Sequence, residues 1–261
     1  FYKELVPKFR DEASNFGQLP TLFLSLVTPD GDLEHYNGLL RIKDAQGRIV
    51  EDMIPPEDYQ RVIGEAVEDF SYMKFPYFKP MGYPQGIYRV GPLARLNNAE
   101  SCGTPYADVA LAEFRMLQDD GPGSSSFHYH YARLVEIIFA IEMMERLLRD
   151  PHILDTRVRA RARGNSDMGI GVAEAPRGTL LHHYKIDDDG LIEWVNLVIA
   201  TGHNNLAMNQ SIRQVAEAYV DGNKLEEGML NRVEAVIRCY DPCLSCASHA
   251  FGKMPLNIQL K

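Results

Sequence analysis

Along the first hundred residues the apolar positions rarely follow a helical period. Residues 22–27 form a short apolar run that ends at Thr28-Pro29-Asp30-Gly31, which predicts a strand and a turn. Residues 39–42 and 48–50, separated by Lys43-Asp44-Ala45-Gln46-Gly47, predict the two strands of a hairpin. After Pro55-Pro56-Glu57 the pattern predicts a helix over 58–67. Residues 75–96 are rich in Pro, Gly and aromatics and read as ordered irregular chain packed by its rings.

The second half is more periodic. A helix is predicted over 107–117, and Gly121-Pro122-Gly123 breaks the chain before Ser124, Ser125 and Ser126, any of which could cap the next helix. That helix, 129–149, places Glu142, Glu145, Arg146 and Arg149 on one stripe, which predicts ion pairs Glu142/Arg146 and Glu145/Arg149. Arg133 and Glu136 fall off the stripe and predict a partly buried ion pair with each other. Residues 168–200 turn Gly-rich and apolar and predict a β layer, broken by the aspartate turn at 185–190. Helices are predicted over 206–220 and 226–238, joined at Asp221-Gly222-Asn223. With no linker and no repeat, 1–261 reads as a single α+β domain dominated by helices, with small β layers.

Composition narrows the function. At 45% hydrophobic content over 261 residues the chain can bury a substantial core. Its net charge of −9 disfavours a general hold on nucleic acid and fits a soluble cytoplasmic enzyme. The longest apolar candidate, 134–148, is interrupted by Glu136, Glu142 and Glu145, so no transmembrane segment is expected. There is no basic region followed by an apolar stretch at the start, and the chain opens on Phe1 rather than Met. Three of the four cysteines fall between Cys239 and Cys246, the wrong distribution for a disulfide framework and the right one for metal or redox work.

The informative segment is Asp241-Pro242-Cys243-Leu244-Ser245-Cys246-Ala247-Ser248-His249, a C-x-x-C-x-x-H array after a helix. Two thiolates three residues apart can face one centre across a tight turn, and sulfur selects soft metals over Mg or Ca. With Cys239, the residues Cys243, Cys246 and His249 would complete a structural zinc knuckle. Zinc knuckles, however, stabilise small domains that lack a core. The spacing Cys239-x3-Cys243-x2-Cys246 is also that of radical S-adenosylmethionine enzymes, but there most of a barrel follows the motif and here fifteen residues do. Three buried, inert cysteines are the remaining reading. His128/His130 and His182/His183 read as ordinary hydrogen-bonding histidines, since adjacent strand residues face opposite ways.

The segment 241–249 resembles the C-terminal signature of the large subunit of nickel-iron hydrogenases. Gly171-Val172-Ala173-Glu174-Ala175-Pro176-Arg177-Gly178-Thr179-Leu180 resembles a second stretch of that family, in the expected order. Residues 88–97 and 195–202 most resemble its soluble, bidirectional, NAD-reducing branch. The resemblance covers this chain but only the C-terminal half, or somewhat more, of the family's large subunit. It implies that Cys243 is a terminal nickel thiolate and proton acceptor, and that Cys246 bridges nickel to an iron carrying CO and cyanide. Arg177 would overhang the open metal position and Asp241 would orient it; Pro176, Arg177 and Thr201 would surround the cyanides; His249 would sit near a magnesium. Preorganised charge beside a metal is a large catalytic term in H2 heterolysis.

The family's N-terminal Cys-x-x-Cys nickel ligands have no counterpart here, since Cys102 and Cys239 do not form such a pair, and the 261-residue chain alone is expected to be inactive. The resemblance further implies a maturation endopeptidase cutting after His249, before Ala250 to Lys261. His203 stands where the soluble branch more often has Gln. No dinucleotide fingerprint and too few cysteines for an iron–sulfur relay mean that electrons would leave through a small iron–sulfur subunit, then flavin-bearing diaphorase subunits, to NAD. The alternatives are a hydrogenase serving ferredoxin or heterodisulfide reductase, a non-catalytic relative of the complex I quinone-site subunit, and a zinc-stabilised module.

Overall fold

The structure, a computed structural model, describes residue 8 and residues 16–117, 123–159, 166–224 and 226–247. The apolar run 22–27 forms β1 (Leu22–Val27), every residue of it buried. It pairs antiparallel with β2 (Leu39–Lys43), which pairs with β3 (Ile49–Ile54), as the hairpin pattern predicts. The helix expected over 58–67 stops early. A 3-10 turn leads into one turn of helix, α1 (Tyr59–Val62), and the chain then enters β4 (Ile63–Ala66), paired with β5 (Phe75–Phe78). The reason is tertiary: Phe75 and Phe78 are buried, and β4 supplies Gly64, where a Cβ would come within 2.7 Å of the Tyr77 ring.

β6 (Tyr88–Arg89) joins β1 in parallel, so the first sheet runs β3-β2-β1-β6. Part of the stretch expected to be irregular is therefore regular, and it continues into α2 (Pro92–Asn98), whose seven residues are all buried. α3 (Pro105–Met116) and α4 (His128–Leu148) complete this helical layer, with α4 packed on both α2 and α3. None of the three serines caps α4 through its side chain. The cap position is Phe127, although Ser125 Oγ accepts from the Phe127 N–H at 3.2 Å.

β7 (Met168–Ala175), β8 (Gly178–Ile186) and β9 (Ile192–Val198) form an antiparallel meander, the predicted β layer. α5 (Ala200–His203), α6 (Asn205–Tyr219), α7 (Glu227–Tyr240) and α8 (Leu244–Ala247) complete the described chain. One core gathers α2, α3, α4 and α7 around Leu93, Phe114, Tyr129 and Tyr240; a second lies between β1, β2 and β8 around Leu24, Ile42 and Leu181. Among the described residues no helix is long and apolar enough to cross a membrane.

Two predicted ion pairs on α4 are replaced by others. Glu136 pairs with Arg95 of α2 rather than with Arg133, whose guanidinium donates to the Cys239 carbonyl at 2.8 Å. Glu142 accepts the N–H groups of Tyr106 and Ala107 at 3.0 and 2.9 Å, filling the orphan donors at the start of α3 instead of pairing with Arg146. Glu145 and Arg149 do pair.

Candidate active site

Three separate segments meet at the site. The first is the tip of the β7–β8 hairpin, where Ala175 and Gly178 face each other and Pro176 and Arg177 form the turn between them. That turn lies against the start of α2. A Cβ on Gly91, which has φ 93°, would stand 2.7 Å from the Arg177 carbonyl oxygen, so the close approach of the two backbones requires glycine there.

The second segment is the end of α7. Tyr240 anchors it: its hydroxyl lies 2.8 Å from Ser211 Oγ, and its ring packs on Tyr129 with centroids 5.1 Å apart. The next residue, Asp241, is left-handed at φ 50°, ψ 53° and turns the chain out of the helix. This turn delivers its main-chain carbonyl to Arg177, whose Nε–H donates to it at 2.6 Å. The Asp241 carboxylate reaches the same guanidinium, with Oδ2 3.2 Å from Nε. Both side chains are partly open to solvent.

The third segment is α5. Thr201, buried, accepts the backbone N–H of Cys243 on its hydroxyl at 3.1 Å. From there α8 brings Cys246 round, with the Cα atoms of Cys243 and Cys246 5.4 Å apart. The two sulfurs, expected as separate metal thiolates, are bonded to each other in a disulfide. One helical turn between cysteines sets a Cα separation inside disulfide range, which explains the pairing. Reduced, the same two sulfurs are converging soft donors for one metal, so these residues fit part of a soft-metal site. No group of three His, Cys, Asp or Glu able to hold a metal occurs among the described residues. His249 lies outside them, and so does the predicted cleavage point.

Cys239 does not join this cluster. Its thiol lies 3.6 Å from His130 Nε2 and donates to the Ala235 carbonyl at 3.3 Å, inside the first core. Burial pushes the thiol up to about 12, and Cys102, also buried, is raised to about 12 by burial and then by Asp108. The zinc knuckle that would need Cys239 beside Cys243 and Cys246 is therefore not assembled among the described residues.

Sequence reasoning missed the group behind the hairpin tip. Arg95 is fully buried and reaches two carboxylates: Nε and a terminal nitrogen contact Glu136 at 2.5 and 2.7 Å, and the other nitrogen contacts Glu174 at 2.8 Å. It also donates to the carbonyls of Ala175 at 2.9 Å and Pro176 at 3.3 Å. Burial disfavours the charge, but Glu136 and then Glu174 overcome it, and the guanidinium is held more firmly protonated than usual. Glu174 is saturated in turn by the Leu26 N–H at 3.0 Å and the Thr179 hydroxyl at 2.8 Å. The available signal was a lone arginine in the apolar segment Gly91-Pro92-Leu93-Ala94-Arg95-Leu96, which once buried requires carboxylates.

A cavity of about 1030 Å³ runs from this ion cluster, past Pro176 and Asp241, along the apolar side chains Ile137, Met144 and Leu147 of α4. His35 lines it, stacked on Phe139 at 5.3 Å, with its imidazole held below the usual range by burial and then by Arg95. The paired histidines of β8 are hydrogen-bonded: His183 Nδ1 lies 3.0 Å from the Tyr59 hydroxyl, and His182 Nδ1 lies 3.2 Å from that of Tyr184. His203 is buried against the Tyr88 hydroxyl at 2.5 Å, and burial depresses its imidazole to about 3.

Comparison with known proteins places these features in context. Residues 40–249 match the family model of nickel-dependent hydrogenases. The chain is 44% identical to the beta subunit of the NAD-reducing hydrogenase HoxS of Cupriavidus necator, over 97% of this chain and 52% of that protein. It is 40% identical to a subunit of the F420-non-reducing hydrogenase of Methanothermobacter thermautotrophicus, over 92% of this chain and 50% of that protein. Its fold matches the crystal structure of an NAD+-reducing nickel-iron hydrogenase in the H2-reduced state with a TM-score of 0.89 and 43% identity, covering 95% of this chain and 55% of that one. The helix-dominated architecture with small sheets is thus that of a hydrogenase large subunit, while the chain spans about half the length of the curated relatives it matches.

Proposed function

Because the chain belongs to the nickel-dependent hydrogenase family, we propose that it forms the catalytic part of a hydrogenase large subunit that oxidises H2 reversibly. Electrons would pass through a small iron–sulfur subunit, then flavin-bearing diaphorase subunits, to NAD, in a cytoplasmic complex. In this reading 1–261 is one large-subunit domain, matured by an endopeptidase that cuts after His249. The observation that carries it is the contact between Arg177 and Asp241, two residues before Cys243. The NAD-reducing reading is supported by the 44% identity to the Cupriavidus protein.

Reduced, Cys243 and Cys246 would be held as thiolates, with Thr201 fixing the backbone of Cys243 through its hydroxyl. Bound there, nickel and an iron carrying CO and cyanide would supply the electrophilic centre at which H2 is polarised. The Cys243 sulfur would take the proton released by heterolysis. Arg177, its guanidinium fixed by the carbonyl and carboxylate of Asp241, would stabilise developing negative charge without reorganising. Pro176, Arg177 and Thr201 would enclose the cyanide ligands, and His249 would sit near a magnesium.

Elemental analysis with infrared spectroscopy on the native complex containing this chain tests the proposal. About one nickel per chain, with CO and cyanide bands, is the expected result, the iron of the iron–sulfur partners adding to that of the site. Zinc alone with no such bands would overturn it. A second reading, electron delivery to a carrier other than NAD, draws on the 40% identity to the Methanothermobacter protein. H2-dependent reduction of ferredoxin without reduction of NAD would favour it.

A further inference from the structure

We infer that Arg95 is a positioning residue for the site: its guanidinium sets where Arg177 stands by holding the backbone of the turn that carries it. The carbonyls of Ala175 and Pro176, the two residues preceding Arg177, both accept from Arg95, at 2.9 and 3.3 Å. On its other side the turn is closed by Gly91, whose missing Cβ admits the Arg177 carbonyl. The turn is therefore clasped between two points of one segment, Gly91 just before α2 and Arg95 one helical turn into it.

Arg95 is fixed in its own right. Its Nε and both terminal nitrogens engage Glu136 and Glu174, so the donors aimed at the carbonyls have no freedom to swing. Only a planar fork of donors meets two carboxylates and two carbonyls at once, and an ammonium group at the same place cannot. Glu136 comes from α4 and Glu174 from β7, so the clasp registers helix, strand and hairpin tip against one another. Arg177 then needs only its bonds to Asp241 to be placed, and a displacement of the turn by about 1 Å would cost on the order of 100-fold in rate if the site is catalytic.

The inference relies on the hydrogenase reading only for its spectroscopic and kinetic arms, and the test is arranged to separate the two. In the assembled complex, Arg95→Lys keeps the charge and removes the fork, Glu136→Gln removes one anchoring charge at constant shape, and Arg213→Lys on the exposed face of α6 is the control. Hydrogen exchange of the peptide 174–181 should become roughly tenfold faster in Arg95→Lys, and less so in Glu136→Gln, while β1 and β2 keep their protection. The cyanide bands should shift and kcat should fall with KM for H2 unchanged, whereas the control changes neither. Unshifted bands and unchanged kcat in Arg95→Lys would overturn the inference. If the unsubstituted complex has no cyanide bands, the hydrogenase reading fails and exchange alone decides: faster exchange of 174–181 supports the clasp, and unchanged exchange overturns it. Should Arg95→Lys not assemble, Glu136→Gln carries the same readouts.

Discussion

The backbone N–H of Cys243 donates to the hydroxyl of Thr201 at 3.1 Å, tying the cysteine segment to the turn of helix that follows β9. Thr201 is buried, so replacing its hydroxyl by a methyl group leaves that N–H without its partner inside the protein. Thr201→Val is expected to cost about 1 kcal/mol of stability in urea unfolding and to lower the nickel content of purified complex, whereas Thr201→Ser preserves both. Equal metal content in Thr201→Val and the unsubstituted protein would remove the hydroxyl from any part in shaping the site.

Arg177 and Asp241 meet in a partly exposed contact, so their pairing contributes little to folding. Arg177→Lys should leave the melting temperature almost unchanged while lowering H2 oxidation roughly 100-fold or more, because a flexible ammonium cannot be aimed by the Asp241 carbonyl and carboxylate together. Asp241→Asn, which keeps the main-chain acceptor, is expected to lose less. A melting temperature that falls in step with activity would mean that the contact is structural.

The four cysteines differ in what reagents can reach. Cys102 and Cys239 are buried with thiols raised to about 12, and Cys243 and Cys246 are joined. In metal-free native protein a thiol reagent at neutral pH should therefore find almost nothing until a reductant is added, and then two thiols per chain. Soft-metal binding should follow the same dependence on reductant, since only thiolates ligate. Nickel uptake by the oxidised protein equal to that of the reduced one would contradict this.

His203 makes stability depend on pH. Burial holds its folded pKa near 3, below the 6.5 of an exposed imidazole, so the unfolded chain binds the extra proton first. Its stabilising effect is complete above about pH 6.5 and is lost progressively as the pH falls from there towards 3, at up to about 1.4 kcal/mol per pH unit. His130 and His35, also depressed by burial, act in the same direction. Urea unfolding of the His203→Gln protein should show a shallower decline between pH 6.5 and 4.5 than the unsubstituted protein; parallel curves would exclude His203 as the source.

Local pattern located what local energetics decide. The all-buried run of β1, the hairpin around Gly47, the meander of β7 to β9 and the helices α3, α4, α6 and α7 all follow from spacing and turn residues visible in the chain. What escaped was settled between distant segments. Residues 63–66 have no reason to leave a helix until Phe75 and Phe78 offer a strand to pair with. Glu136 stands one turn from Arg133, yet Arg95, forty-one residues upstream, takes it because burial of α2 leaves that guanidinium no water. The contact of the hairpin tip with Asp241 was implied by the resemblance and is present, but spacing alone did not reach it, because it depends on α7 ending at Tyr240 rather than at the expected boundary of 238.

Asp241 sits in a backbone conformation that glycine or asparagine would occupy at lower energy. A population of this protein screened only for heat resistance would therefore drift at this position, gaining a fraction of a kcal/mol and surrendering the carboxylate that faces Arg177. Thermostability libraries should accordingly hold residue 241 constant, because it is a place where the most stable chain and the chain that the proposed site requires are different molecules.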